Sequence, residues 1–123
     1  MRKEIYVNRG TAGIDGILST AIGLSKVSKK TGVLFIGDIA FLHDSNALLK
    51  LHEIEDPLKI VVLNNGGGSI FKMLPINEHK NEFSDYFETP HNVSLAALCR
   101  AHKIDHTLIS RPEQIIPTFE SLI

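Results

Sequence analysis

A chain of 123 residues with 43% hydrophobic content is long enough to bury one core without disulfides or metal staples. Its formal charge is -1 with acids and bases interspersed, so it offers no broad basic face to a nucleic-acid backbone, and nucleic acid is not an expected partner. No apolar run nears the roughly 20 residues that span a bilayer, and the opening MRKEIYVNRG lacks the apolar stretch of a signal peptide, so no membrane role is expected.

In chain order, EIYVN (4–8) is a short β-rich run that feeds the glycine-broken loop RGTAG. From Ile14 to Val27, apolar residues at Ile14, Ile17, Leu18, Ala21, Ile22 and Leu24 follow the three-and-four spacing of a helix that should stop near Gly32. VLFIG (33–37) is a continuous apolar run, the pattern of a strand covered on both faces. HDSNALLKLHEIED predicts a second helix, with Asp44 or Ser45 as N-cap and Ala47, Leu48, Leu51 and Ile54 on one face. LKIVVLN (58–64) reads as another buried strand, and GGGSIFKMLP as a glycine loop ending in a short helical turn. Residues 77–92 are polar and aromatic without period and predict a loop beside the site or facing a partner. VSLAALCRAHK predicts a helix capped by Ser94, IDHTLIS a strand over 104–109, and RPEQIIPTFESLI a helix opening with Pro112. The single cysteine, Cys99, falls on the buried face of its helix and is expected to be a reduced thiol in the cytoplasm.

Alternating strand and helix predict an α/β three-layer sandwich with a mainly parallel sheet. A final strand is expected after Ile123, so the chain reads as one domain, 1–123, of something longer.

Ligands of open parallel sheets sit beyond the carboxyl ends of the strands, where Gly37-Asp38 and Asn64-Asn65 both fall. Asp38 offers a carboxylate and Asn65 an amide oxygen, while Gly66, Gly67 and Gly68 leave the backbone free to turn a carbonyl inward. Such oxygens suit Mg²⁺, which completes its octahedron with water and phosphate oxygens. The N–H groups of Ile39 and Ala40 are candidates to meet those phosphates. Either dipeptide alone is also an ordinary cap or turn, and only their spacing and the three glycines raise them above that.

Gly37-Asp38, twenty-five intervening residues and Asn64-Asn65 resemble the thiamine-diphosphate motif, here with Ile39 at the third position. NRGTAGIDGILSTAIGLS, GDIAFLHDSNALL and VVLNNGGGSIFKMLP are more specific. They resemble the C-terminal, pyrophosphate-binding cofactor domain of the 2-succinyl-5-enolpyruvyl-6-hydroxy-3-cyclohexene-1-carboxylate synthases of menaquinone biosynthesis. The resemblance implies a thiamine-diphosphate-binding fold, with Asp38, Asn65 and the Gly67 carbonyl on Mg²⁺ (or Mn²⁺) and Gly37, Ile39 and Ala40 along the diphosphate. It implies that Ile14 wedges between the cofactor rings, although the residues alone read as helix packing. It also implies that Arg9 holds a substrate carboxylate and that Ile70 and Phe71 wall the substrate pocket; on the residues alone these are a solvated cation and ordinary core.

The implied reaction is decarboxylation of 2-oxoglutarate and addition of the resulting carbanion equivalent to isochorismate. The glutamate that activates the cofactor belongs, in that family, to a pyrimidine-binding domain of another subunit, which implies a homo-oligomer. No catalytic residue is therefore expected in this chain, and Glu53 and Glu55 read as surface charges. Two other readings stand beside this one. The chain is either a small subunit of another two-chain decarboxylase, which a neighbouring gene for the partner would favour, or a flavodoxin-like or receiver-like phosphate module. A receiver would carry an early acidic pair and a late lysine at strand ends, where this sequence has Asn8-Arg9 and Ser110-Arg111.

Overall fold

Two apolar runs pair side by side and place everything around them. In the computed structural model, which describes residues 4–8, 13–55 and 57–122, β1 (Gly32–Gly37) and β2 (Leu58–Leu63) are parallel and adjacent, in register from Gly32 opposite Leu58 to Gly37 opposite Leu63. Because the last pair is Gly37 and Leu63, Asp38 and Asn64 leave the sheet side by side at its carboxyl edge. The α/β character with a parallel sheet agrees with the sequence reading.

α1 (Ile17–Ser28) buries Leu18, Ile22 and Ser25, and packs against β1 and the 3-10 helix Ser45–Glu53. It begins three residues later than the apolar spacing predicts, because Gly16 takes a left-handed conformation (φ 70°) that ends the loop before it. Lys29, also left-handed, closes it by donating its N–H to the Ser25 carbonyl. α2 (Asp38–His43) starts directly off β1 and buries Ala40 and Phe41. The predicted second helix forms over Ser45–Glu53, wound as a 3-10 helix, and Leu48 is its buried residue.

Asp44 does not cap that helix with its side chain. Its carboxylate reaches back to α1, accepting from the Ser19 N–H at 2.7 Å and the Ser19 hydroxyl at 2.8 Å. These bonds satisfy a backbone donor in the first turn of α1 and tie it to the end of α2.

Several expectations are corrected. Residues 4–8 and 104–109 form no strand; among the described residues the sheet has two strands. Apolar, β-branched composition favours extension, but a strand needs a partner backbone, which local sequence does not specify. The sheet is covered on one face: Ile36 is buried, while Val33, Phe35 and Leu63 on the other face are exposed, Phe35 by 65%. The predicted 77–92 loop begins inside a 3-10 turn (Pro75–Glu78) and contains α3 (Lys80–Phe83) and a π-helical turn (Ser84–Glu88), with Phe83 buried.

The chain divides into two compact units, Met1–Asn92 and Val93–Ile123. The second contains α4 (Leu95–Ala101), a 3-10 turn at Pro112–Gln114 and α5 (Ile115–Leu122). Ser94 caps α4 as predicted, accepting from the Ala97 N–H at 3.2 Å. Cys99 is buried, and burial pushes its thiol up, away from the reactive thiolate. Among the described residues no helix is long and apolar enough to cross a membrane.

Candidate cofactor and metal site

The Asp38 carboxylate, on the first residue of α2, is 3% exposed, and the surrounding backbone is organised about it. Its Oδ1 accepts from the Ile39 N–H at 2.8 Å. Its Oδ2 accepts from three successive N–H groups across the sheet edge, those of Asn65 (3.1 Å), Gly66 (2.8 Å) and Gly67 (3.0 Å). Successive amides converging on one oxygen make an anion-binding nest. Burial alone would raise the carboxyl pKa, but the N–H groups of Ile39, Gly66 and Gly67, together with His91, outweigh it and hold the group below the ordinary carboxylate value.

The nest explains the glycines. Gly66 (φ 78°) and Gly67 (φ 152°) take positive φ to aim their N–H groups inward. Residues 87–91 also press on the loop: a Cβ on Gly67 would lie 2.6 Å from the Glu88 carbonyl oxygen, and one on Gly68 would lie 2.7 Å from that of Phe87. The contact is fastened by Gly68 N–H to the Glu88 carbonyl (2.6 Å), His91 N–H to the Gly66 carbonyl (3.1 Å) and a Lys72–Glu88 ion pair.

Gly37 differs from these. Its φ of -75° suits any residue, and among the described residues, its two chain neighbours aside, nothing lies within 4 Å of where a Cβ would stand. Neither backbone nor packing requires glycine there, which leaves open space at the strand end that a side chain would occupy. Asn65 Oδ1 meanwhile lies 3.3 Å from the Gly67 nitrogen that also donates to Asp38 Oδ2, so carboxylate and carboxamide oxygens converge on one point. A buried ionised carboxylate, an amide oxygen beside it and open space at Gly37 fit the donor set and the room that a hard divalent cation with a diphosphate needs.

The structure therefore brings together Gly37, Asp38, Ile39, Asn65 and Gly67, with Ala40 buried in α2 behind them. The Ile39 N–H faces the Asp38 carboxylate in this state. Ile14 lies outside α1 and is 41% exposed, so helix packing does not account for it. Ile70 (68% exposed) and Phe71 sit on the 3-10 helix Ser69–Met73 directly after the glycine loop, at the surface and not in the core. Phe71 meets Phe87 edge to face at 6.1 Å. Arg9 lies outside the described residues. Glu53 is a surface charge, paired with Lys26 and Lys50.

Sequence reasoning missed His91, whose Nε2 stands 3.3 Å from Asp38 Oδ2. No spacing rule links positions 38 and 91. It also missed Asp44 on Ser19, for which a capping residue at a helix junction was the available signal.

A parallel α/β unit with a carboxylate and a glycine loop meeting at the carboxyl edge of neighbouring strands defines a phosphate-cofactor domain. Comparison with known proteins makes the class particular. Residues 2–123 match the thiamine pyrophosphate enzyme, C-terminal TPP binding domain family, and the chain belongs to that family. It is 45% identical over 107 residues to a 2-succinyl-5-enolpyruvyl-6-hydroxy-3-cyclohexene-1-carboxylate synthase of Synechocystis sp., covering 87% of this chain and 18% of the synthase. Synthases of the same name from Pelodictyon phaeoclathratiforme and Christiangramia forsetii are 48% identical over 100 residues and 42% over 112. Those matches cover 81% and 91% of this chain, and 17% and 19% of the synthases. The chain thus spans about a fifth of the length of these relatives.

Proposed function

We propose that this domain holds the diphosphate end of thiamine diphosphate through a divalent cation, Mg²⁺ or Mn²⁺, within a cytoplasmic 2-succinyl-5-enolpyruvyl-6-hydroxy-3-cyclohexene-1-carboxylate synthase. One observation carries the reading: the buried, ionised Asp38 carboxylate shares a single backbone nitrogen with the Asn65 side chain at the carboxyl edge of two paired strands. Asp38, Asn65 and the Gly67 carbonyl would hold the cation, and the open space at Gly37 would admit the diphosphate beside Ile39 and Ala40.

Bound thiamine diphosphate supplies the electron sink that decarboxylation of a 2-oxo acid requires. The chain's own residues bind and orient. Ile14, exposed before α1, is an apolar surface for the cofactor rings; Ile70 and Phe71 form an apolar wall after the glycine loop; Arg9 is the guanidinium for a substrate carboxylate. The substrates are 2-oxoglutarate and isochorismate, in menaquinone biosynthesis. The pyrimidine-binding domain of another subunit supplies the activating glutamate, so the isolated chain is inactive.

Calorimetry with thiamine diphosphate and Mg²⁺ tests the reading. Saturable heat is expected for the wild type and none for Asp38→Ala; equal heat in both overturns it. In a synthase carrying this chain in place of its matching segment, product should form from 2-oxoglutarate and isochorismate, and Asp38→Ala should abolish it.

A further inference from the structure

His91 touches both halves of the cation site. Its ring reaches Asp38 Oδ2 (3.3 Å), and its own main-chain N–H holds the Gly66 carbonyl (3.1 Å). The side chain is 12% exposed, so the contact is largely shielded from competing water. An ionised carboxylate can only accept, so the ring nitrogen facing it carries the proton. With the Ile39 N–H on Oδ1 and the His91 ring and glycine-loop amides on Oδ2, the carboxylate is pinned against rotation from both sides.

We infer that His91 is a positioning residue for the metal ligand Asp38: its ring N–H and its main-chain N–H hold carboxylate and glycine loop in the one orientation that turns the Asp38 and Asn65 oxygens toward a shared divalent cation. The inference rests on the cation–diphosphate reading above and deepens it. Two effects oppose each other. A hydrogen bond draws electron density from the carboxylate and weakens its pull on a cation, whereas fixing its orientation removes the cost of ordering it at binding. Outer donors to ligand groups typically sustain metal affinity by about 10–100-fold, so orientation wins. A donor is needed at this position; an imidazole is not. That separates the role from simple space filling.

Mn²⁺ titrated into the chain at saturating thiamine diphosphate, with free Mn²⁺ followed by electron paramagnetic resonance, gives the affinity directly. His91→Gln, which keeps an N–H donor and loses the ring, should bind close to wild type. His91→Phe, which keeps the ring and loses the donor, should bind about 10–100-fold more weakly. In the metal-free chain, amide exchange at Gly66 and Gly67 should quicken only in the Phe variant. If Phe matches or exceeds wild type while Asp38→Ala loses binding, the positioning role is overturned and the cation reading stands. If Gln is weakened tenfold or more, the donor argument fails, whether or not the Phe variant folds. If Asp38→Ala binds Mn²⁺ as well as wild type, the cation reading falls and the inference with it.

Discussion

On one side of the Asp38 carboxylate, α1, β1, α2 and the 45–53 helix share the buried side chains Leu18, Ile36, Phe41 and Leu48. On the other, residues 69–91 pass through four short helical turns and leave Ile70, Met73, Leu74 and Tyr86 in solvent. The first side is held by burial of side chains distant in sequence. The second is held by backbone contacts to the glycine loop, by the Lys72–Glu88 pair and by a run of rings in which Phe87 meets Phe71 and stacks on Phe83 at 6.5 Å. The difference teaches that the Asp38 carboxylate leaves the half held by buried side chains, while the exposed apolar residues belong to the half with fewer of them, where local opening costs least.

The largest expected effect breaks the side held by buried side chains. Leu48→Ala should lower unfolding free energy by about 2–5 kcal/mol, read from urea titration. Met73→Ala on the other side should stay within about 0.5 kcal/mol. Equal losses would erase the distinction.

Next comes the seam between the halves. Gly67→Ala places a methyl against the Glu88 carbonyl at a φ that side chains rarely adopt, and should cost on the order of 1–3 kcal/mol. A cost near zero would mean that residues 87–91 do not press on the loop. Asp44→Ala removes the long-range cap of α1 and should cost about 1 kcal/mol; a loss confined to the local 45–53 turn, with α1 amide exchange unchanged, would contradict that tie.

The smallest effect is spread over pH. Asp38 has a folded-state pKa below its ordinary value of 3.8, so its contribution is complete above that value and is lost as pH falls through the folded pKa. Urea midpoints measured downward from pH 6 should fall more steeply for wild type than for Asp38→Asn in the acid range below about pH 4. Parallel curves would show that the carboxylate gains nothing from its amide donors. Gly37→Ala sharpens the same contrast: with φ already ordinary and space open, it should leave stability unchanged or slightly raised while weakening cofactor heat.

The parts legible in the sequence were those fixed by neighbours along the chain. β1 and β2 were visible as apolar runs, the Ser94 cap as a polar residue before a helical pattern, and the site's two ends as polar groups closing each strand. What stayed hidden depends on distant backbone. EIYVN carries strand-favouring side chains yet pairs as a strand with none of the described residues, and Asp44 serves a helix that ends sixteen residues before it. The glycine loop was recognised as special because its backbone could turn a carbonyl inward; what the sequence did not show is that three of its N–H groups turn onto Asp38. Glycine permits either, and only the position of the carboxylate decides.

That arrangement has a consequence for selectivity. Because the protein's own negative group already fills the three-amide hollow, a lone phosphate or chloride approaching it meets repulsion and finds those donors spoken for. A positive guest meets no such repulsion, so on the proposed reading a diphosphate would enter together with its counter-ion.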